Sequence, residues 1–233
     1  MIKIFIISGV IVLVLSFYSL IPTIYYKNHY MNKHRKSGEG KRIALTFDDG
    51  PSSQYTPALL DLLKKYNVKA TFFMVASFAE RNWEVVERIV EEGHEIGIHS
   101  FEHKNALIKG PWYTKRDFNN AIGIFNRYGW NIKYYRPPWG HINLFTLKMV
   151  KKYNLHMVFW TVMAQDWSGS IKCEEITRRL NERITEGSVI CLHDGRGKNQ
   201  APSRTIKALE QVIPRLLKEG YEFVTIGELN EKQ

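Results

Sequence analysis

The sequence predicts an α/β fold, one sheet of parallel strands preceded by a single apolar helix, and three observations predict it. After residue 41 short apolar runs alternate with amphipathic stretches, glycines stand at the ends of several of those stretches, and residues 4–24 carry no charge. Alternation of this kind joins parallel strands through helices, in a sheet that is either doubly wound or closed into a barrel.

Taken in order, residues 4–24 are long enough to cross a bilayer, since a helix needs about 20 apolar residues to span the hydrocarbon. Tyr18, Tyr25 and Tyr26 fall toward one end of the run, where an aromatic belt lies. No alanine occurs in residues 1–43, so a small-residue cleavage site is missing and an uncleaved anchor is favoured over a signal peptide. The chain divides into a membrane anchor (1–26), a short polar juxtamembrane stalk read as flexible (27–40) and a folded domain (41–233).

Seven runs read as strands: residues 43–47, 70–74, 95–98, 133–135, 157–160, 188–192 and 222–225. Residues 57–66, 83–92, 115–128, 144–153, 174–184 and 203–218 read as helices, with Gly93, Gly129, Gly187 and Gly220 near their ends as C-terminal caps. In both candidate architectures chemistry belongs at the carboxyl ends of the strands.

The composition of the 233 residues, 44% hydrophobic and 24% charged, is that of a folding chain, and two cysteines cannot scaffold it. Cys173 and Cys191 are read as two buried thiols. The net charge of +10 invites a nucleic-acid reading, but seven of the 33 basic residues lie at or before Arg42 against Glu39 alone. That excess is juxtamembrane and faces solvent or anionic lipid, so no nucleic-acid partner is expected.

Five clusters sit at strand ends. They are Thr46-Phe47-Asp48-Asp49-Gly50, His99 with His103, Arg136-Pro137-Pro138-Trp139-Gly140, Asp166-Trp167, and Leu192-His193-Asp194. Each alone has an ordinary reading as a turn, a cap or a packed aromatic. Two imidazoles four apart, if on one helical turn, project to one side at a spacing that suits a metal. Together the clusters argue one active site at one rim of the sheet.

These motifs, in this order, resemble the polysaccharide deacetylases, the NodB-homology or carbohydrate esterase family four enzymes, over about residues 41–228. T-F-D-D-G stands at residues 46–50, H-S-x-x-H at 99–103, R-P-P-W-G at 136–140, D-W at 166–167, and L-x-H is read at Leu192 and His193. Trp139 replaces the family's usual tyrosine, Met163 stands where an aspartate is common, and the segment around Trp112 departs from the family's continuation.

The resemblance implies an incomplete (β/α) barrel of about seven parallel strands and a metal-dependent hydrolase that removes N-acetyl groups from aminosugar polymers, peptidoglycan or chitin-like oligosaccharide. Asp49, His99 and His103 would ligate one divalent metal, zinc first, with cobalt, nickel or manganese compatible with the same donors. Asp48 would be the general base braced by Arg136, and His193 the general acid held by Asp166. Trp139 would offer a backbone N–H to the oxyanion, and Trp167 and Leu192 would wall a pocket for the acetyl methyl. Trp139, Trp112 and Trp167 would also offer flat faces to sugar rings.

Two other readings stay open: an esterase acting on O-acetyl groups, and a catalytically silent wall-binding module. The completeness of the five motifs favours an enzyme. Such a substrate implies a single-pass protein of the cell membrane with its catalytic domain outside. Lys27, Lys33, Arg35 and Lys36 after the anchor argue the opposite orientation under the positive-inside rule. The sequence leaves the oligomeric state open.

Overall fold

The structure is a computed structural model that describes the backbone of residues 2–36 and 40–231 and the side chains of residues 6–34 and 40–231. It opens with helix α1 (Ile2–Leu15), one π-helical turn (Ser16–Leu20) and helix α2 (Ile21–Lys36), which together form one long rod. The wide turn directly precedes Pro22, a residue that lacks the N–H for the regular helical ladder and crowds the preceding turn. The described rod is long and apolar enough to cross a membrane between Ile6 and His34.

The catalytic region follows as β1 (Arg42–Asp48), α3 (Thr56–Lys65), β2 (Thr71–Met74), α4 (Ala76–Arg81), α5 (Trp83–Glu91), β3 (Glu95–Ile98), α6 (Pro111–Arg127), β4 (Tyr134–Tyr135), α7 (Leu144–Lys152), β5 (His156–Met157), β6 (Val162–Met163), α8 (Cys173–Arg183), β7 (Val189–His193), α9 (Ala201–Lys218), β8 (Glu222–Val224) and α10 (Ile226–Glu231). All strand pairings are parallel, in the order β5-β4-β3-β2-β1-β7-β6, with β8 added to the first half of β1. The expected incomplete barrel is observed, with one more strand segment than the seven read from the sequence, β6.

The strip is curled almost into a ring. Its edge strands β5 and β6 are neighbours in sequence, the Val158 N–H bonds to Tyr135 on one side and the Thr161 N–H to Val189 on the other, so Phe159 and Trp160 alone bridge the opening. Period-two alternation sorts β1 onto two faces. Ile43, Leu45 and Phe47 join the large outer core beneath the helices, whereas Ala44 packs inside the ring with Phe73, Tyr134, Trp160, Val189 and Cys191. Thr46 and Asp48 share the parity of Ala44, which leads Asp48 to the rim on the inner side.

The flexible-stalk reading of residues 27–40 is corrected over residues 27–36, which continue α2 and pack against the domain; residues 37–39 lie outside the described residues. The cause is tertiary. Tyr30 stacks edge-on with Phe159 at 5.7 Å and packs against the inner cluster, and the Lys27 ammonium lies 4.7 Å from the Trp160 ring centre. Such contacts stabilise a polar helix that its own propensities would leave marginal. Cys173 and Cys191 are both free thiols, as read, but only Cys191 is buried; Cys173 is partly exposed.

Candidate active site

Asp48, the last residue of β1, is almost wholly buried, and a fully buried Arg136 supplies the partner that a buried carboxylate needs. Arg136 Nη1 donates to Asp48 Oδ1 and to Thr46 Oγ1, both at 2.7 Å, and Nη2 donates to the Phe159 carbonyl at 3.1 Å. The guanidinium also stacks 4.1 Å from the Phe73 ring centre. Among the described residues, the second carboxylate oxygen of Asp48 accepts only a weak bond from the Cys191 thiol at 3.3 Å and lies 3.9 Å from His99 Nε2.

One residue on, the chain leaves the strand and Asp49 turns toward His99 and His103. Its Oδ1 lies 2.9 Å from His103 Nε2 and 3.5 Å from His99 Nε2, yet it is buried without a well-aligned hydrogen bond. Burial works against its charge, but the His103 and His99 imidazoles outweigh that and hold the carboxyl well below its ordinary range. His99 is held at its other nitrogen, Nδ1, by the Arg136 carbonyl at 2.8 Å, so Nε2 is the atom presented to the site. Burial pushes its pKa down to about 4, which keeps the imidazole neutral.

The helical-turn reading of His99 and His103 is corrected. They stand at the end of β3 and in the loop that follows, with the His99 N–H still bonded to the Met74 carbonyl as in a strand. Ser100 Oγ accepts the His103 N–H at 2.8 Å, and Asp117 on α6 accepts the Phe101 N–H. These bonds aim the two rings together without a helix, their centres 5.0 Å apart.

The third group faces the first from β7. Asp166 is fully buried; its Oδ1 lies 2.9 Å from His193 Nδ1, and its Oδ2 accepts the His193 N–H at 2.8 Å and the Thr205 hydroxyl at 2.9 Å. Burial would lower the His193 pKa, but the Asp166 carboxylate beside it raises it to about 9, so the ring carries a proton at neutral pH. Trp167 is partly exposed with its ring 5.2 Å from His193, and Trp139 stands half exposed with its ring 4.2 Å from His103.

Leu192 does not join them, a correction to the pocket read for it. It is fully buried in the outer core with Phe47, its partner in register, whereas His193 pairs with Asp48 on the inner side. Counted back from His193, the first position of L-x-H falls on Cys191, the residue that meets Asp48. Alternation along β7 is the signal that distinguishes the two. Asp194, the last residue of that cluster, turns away to a separate partner. Burial pushes its carboxyl up to about 7, and it accepts the Thr56 hydroxyl at 2.5 Å.

Loops of unusual conformation build the rim. Asp49, Ser100, His103, Trp139 and Gln165 all have positive φ between 56° and 70°, a region that costs an ordinary residue free energy and clusters at functional sites. Gly195 lies so close to the Asp49 carbonyl that any Cβ would collide with it. The turn after β7 can therefore press directly on the turn that carries Asp49.

A metal fits this donor set. One ligand atom each from Asp49, His99 and His103 lies within 4.8 Å of the others, the two imidazoles and one carboxylate leave coordination positions open, and the unsatisfied Asp49 oxygen is the kind of atom a cation completes.

Comparison with known proteins gives one direction. A family model described as "Polysaccharide deacetylase" matches residues 35–158, a span that holds Asp48, the metal donors and Arg136 but stops before Asp166 and His193. The chain is 37% identical over 191 residues to a peptidoglycan-N-acetylglucosamine deacetylase of Bacillus cereus, covering 81% of this chain and 88% of that one. Among solved structures it resembles a peptidoglycan N-acetylglucosamine deacetylase in complex with an N-oxidanyl-benzamide, with a TM-score of 0.78, 34% identity and coverage of 84% and 91%. It also resembles a family 4 acetyl xylan esterase of Clostridium thermocellum in complex with a cobalt ion, with a TM-score of 0.74, 34% identity and coverage of 81% and 90%.

Proposed function

The chain belongs to the polysaccharide deacetylase family, and we propose that it is a membrane-anchored, metal-dependent hydrolase that removes N-acetyl groups from an aminosugar glycan, with peptidoglycan the first substrate to test. The observation that carries this reading is the pairing of a carboxylate braced by Arg136, Asp48, with an imidazole held by Asp166, His193, register neighbours at the strand ends beside a two-histidine, one-aspartate donor set. Hydrolysis of an amide needs a base for the attacking water, a stabilised oxyanion and a proton for the departing amine.

A divalent cation on Asp49, His99 and His103 would supply charge to polarise the acetyl carbonyl and acidify the attacking water. Asp48 receives the water's proton, and Arg136 fixes its carboxylate in direction. His193, charged by its contact with Asp166, delivers a proton from Nε2 to the amine as the carbon–nitrogen bond breaks. The Trp139 N–H faces the developing oxyanion, and Trp167 packs beside the acetyl methyl. Cys191, in place of Leu192, forms the inner wall beside Asp48.

The resemblance to deacetylases that act on cell-wall glycan supports placing the catalytic domain outside the membrane. The deciding experiment assays acetate release by the full chain, with zinc, cobalt, nickel or manganese added, from N-acetylglucosamine oligomers, peptidoglycan and O-acetylated xylan. Release from the N-acetylated glycans is expected. Activity confined to xylan would replace the reading with O-ester hydrolysis, and inactivity with metal bound would favour a silent wall-binding module.

A further inference from the structure

The long N-terminal rod touches the domain in an ordered series. Tyr18 Oη donates to the Lys109 carbonyl at 3.3 Å and Ser19 Oγ to the Leu107 carbonyl at 3.0 Å. Thr23 Oγ1 donates to the Ile142 carbonyl at 3.0 Å and accepts the Ile142 N–H at 2.9 Å. Farther along come Lys27 against Trp160 and Tyr30 against Phe159. The first three contacts fall on the loops after β3 (Tyr18 and Ser19) and β4 (Thr23), at the carboxyl ends of the strands, and the chain then enters β1 at its opposite, amino end. The rod therefore passes the active-site rim first, and the part of it that precedes residue 18 projects beyond that rim.

The depth of the rim follows from helix geometry. Twenty residues at about 1.5 Å each cover the roughly 30 Å of hydrocarbon, so the uncharged run of residues 4–24 reaches across it and ends near Ile24. The outer face of the rod agrees, for Phe17, Leu20, Ile21, Ile24 and Tyr25 are all exposed apolar or aromatic residues. Tyr18 and Ser19 thus hold the 105–112 loop inside the apolar limit of the rod, about 7 Å short of Ile24. That segment, which runs into the first turn of α6, carries Ile108 at 74% exposure and Trp112 at 83%, with Lys115 and Arg116 of α6 exposed behind them. An exposed Ile and Trp backed by cations is the composition of a segment seated in the lipid interface. Asn105, which accepts the Leu107 N–H and lies 3.1 Å from His141, ties the loop to the strand-end turn behind Trp139. His103 is only four residues from Leu107, at most ~14 Å of chain.

We infer that the 105–112 loop inserts into the bilayer interface, so that the active site opens onto the membrane surface and takes an acetylated aminosugar chain whose carrier end is a membrane lipid. This rests on the deacetylase reading above and on α1 residing in a bilayer. It gives a use to the solvent-exposed Trp112 that sugar stacking does not require, and it explains why the rod is bonded to rim loops instead of joined by a free tether.

Two measurements on the full chain in proteoliposomes test it. In the first, tryptophan fluorescence is quenched by lipids brominated near the glycerol end of their acyl chains, for the wild type and for Trp112→Phe. A clear loss of quenchable signal in the variant is expected; identical quenching in both, or failure of the chain to float with the vesicles, would overturn the placement of the loop. In the second, acetate release with added zinc is compared for one N-acetylglucosamine oligomer presented free and attached to a lipid of the same vesicles, at equal bulk concentration. At least a tenfold advantage for the attached form is expected, reduced severalfold in Ile108→Ser while the free-oligomer rate holds. Equal rates would overturn the substrate assignment. No acetate from either form, with the quenching difference intact, would overturn the deacetylase reading and leave the loop at the membrane.

Discussion

Asp48 and Asp166 are both buried carboxylates paired with a cationic side chain at under 3 Å, yet the surroundings give them different work. Asp166 has both oxygens engaged, Oδ1 by the His193 ring and Oδ2 by the His193 N–H and Thr205. Asp48 has one oxygen bonded to Arg136, while the other meets only a thiol and looks toward His99. A carboxylate with a weakly engaged oxygen at the rim can accept a proton during turnover. One with every direction filled can only orient and charge its neighbour.

The contrast can be broken at several points. The largest effect is expected outside the pair: Asp49→Ala, His99→Ala and His103→Ala should each remove bound metal and reduce turnover to background, because a three-ligand site loses most of its affinity with any one donor. Metal analysis of the purified variants beside acetate release checks this. Full occupancy and wild-type rates in two of the three would refute the donor set.

Asp48→Asn should retain metal while kcat falls by roughly two to four orders of magnitude, the range for loss of a general base. Metal lost in step with activity would mean that the two adjacent aspartates have exchanged roles. Asp166→Asn should cost less, on the order of tenfold to a hundredfold, because His193 remains in place but its pKa drops. The informative readout is the His193 ring by NMR titration, where the wild-type value is expected near 9 and the variant's well below it. An unmoved titration would deny Asp166 its part.

Thr205→Val should have the smallest effect, a fewfold loss of kcat with metal binding unchanged, since it removes one of two bonds to a single oxygen of Asp166. A loss as large as that of Asp166→Asn would show that the carboxylate's direction depends on α9 as much as on β7.

Much of this site was legible because parity and strand ends are local properties. Asp48 and His193 each finish a strand whose alternating residues face the ring interior, and the motif spacing located Asp49, His99, His103, Arg136 and Asp166 as well. Parity along β7 also separates Leu192, which faces the outer core, from Cys191, which faces Asp48. Other features depend on partners far away in the chain. Nothing near residue 166 announces Thr205, nothing near residue 194 announces Thr56, and the helicity of residues 27–36 depends on Phe159 and Trp160. The i, i+4 spacing of His99 and His103 suits one helical turn, and only Asp117 and Ser100, which tie the turn, make it a loop at the strand end instead.

The bridge of Phe159 and Trp160 has a consequence for where the molecule opens. It joins two edge strands that are each two residues long, while β1 at the centre is seven residues long and paired on both sides. Amide protection should therefore fall off steeply from β1 toward β5 and β6, with the seam exchanging through local openings that leave the central strands intact. Because the Phe159 carbonyl is one of the bonds that hold Arg136, each such opening also loosens the guanidinium behind Asp48. By closing over that seam, α2 couples the firmness of Arg136 behind Asp48 to its own docking, and a chain lacking residues 1–36 should show the seam's amides exchanging faster than they do in the full chain, while those of β1 hold.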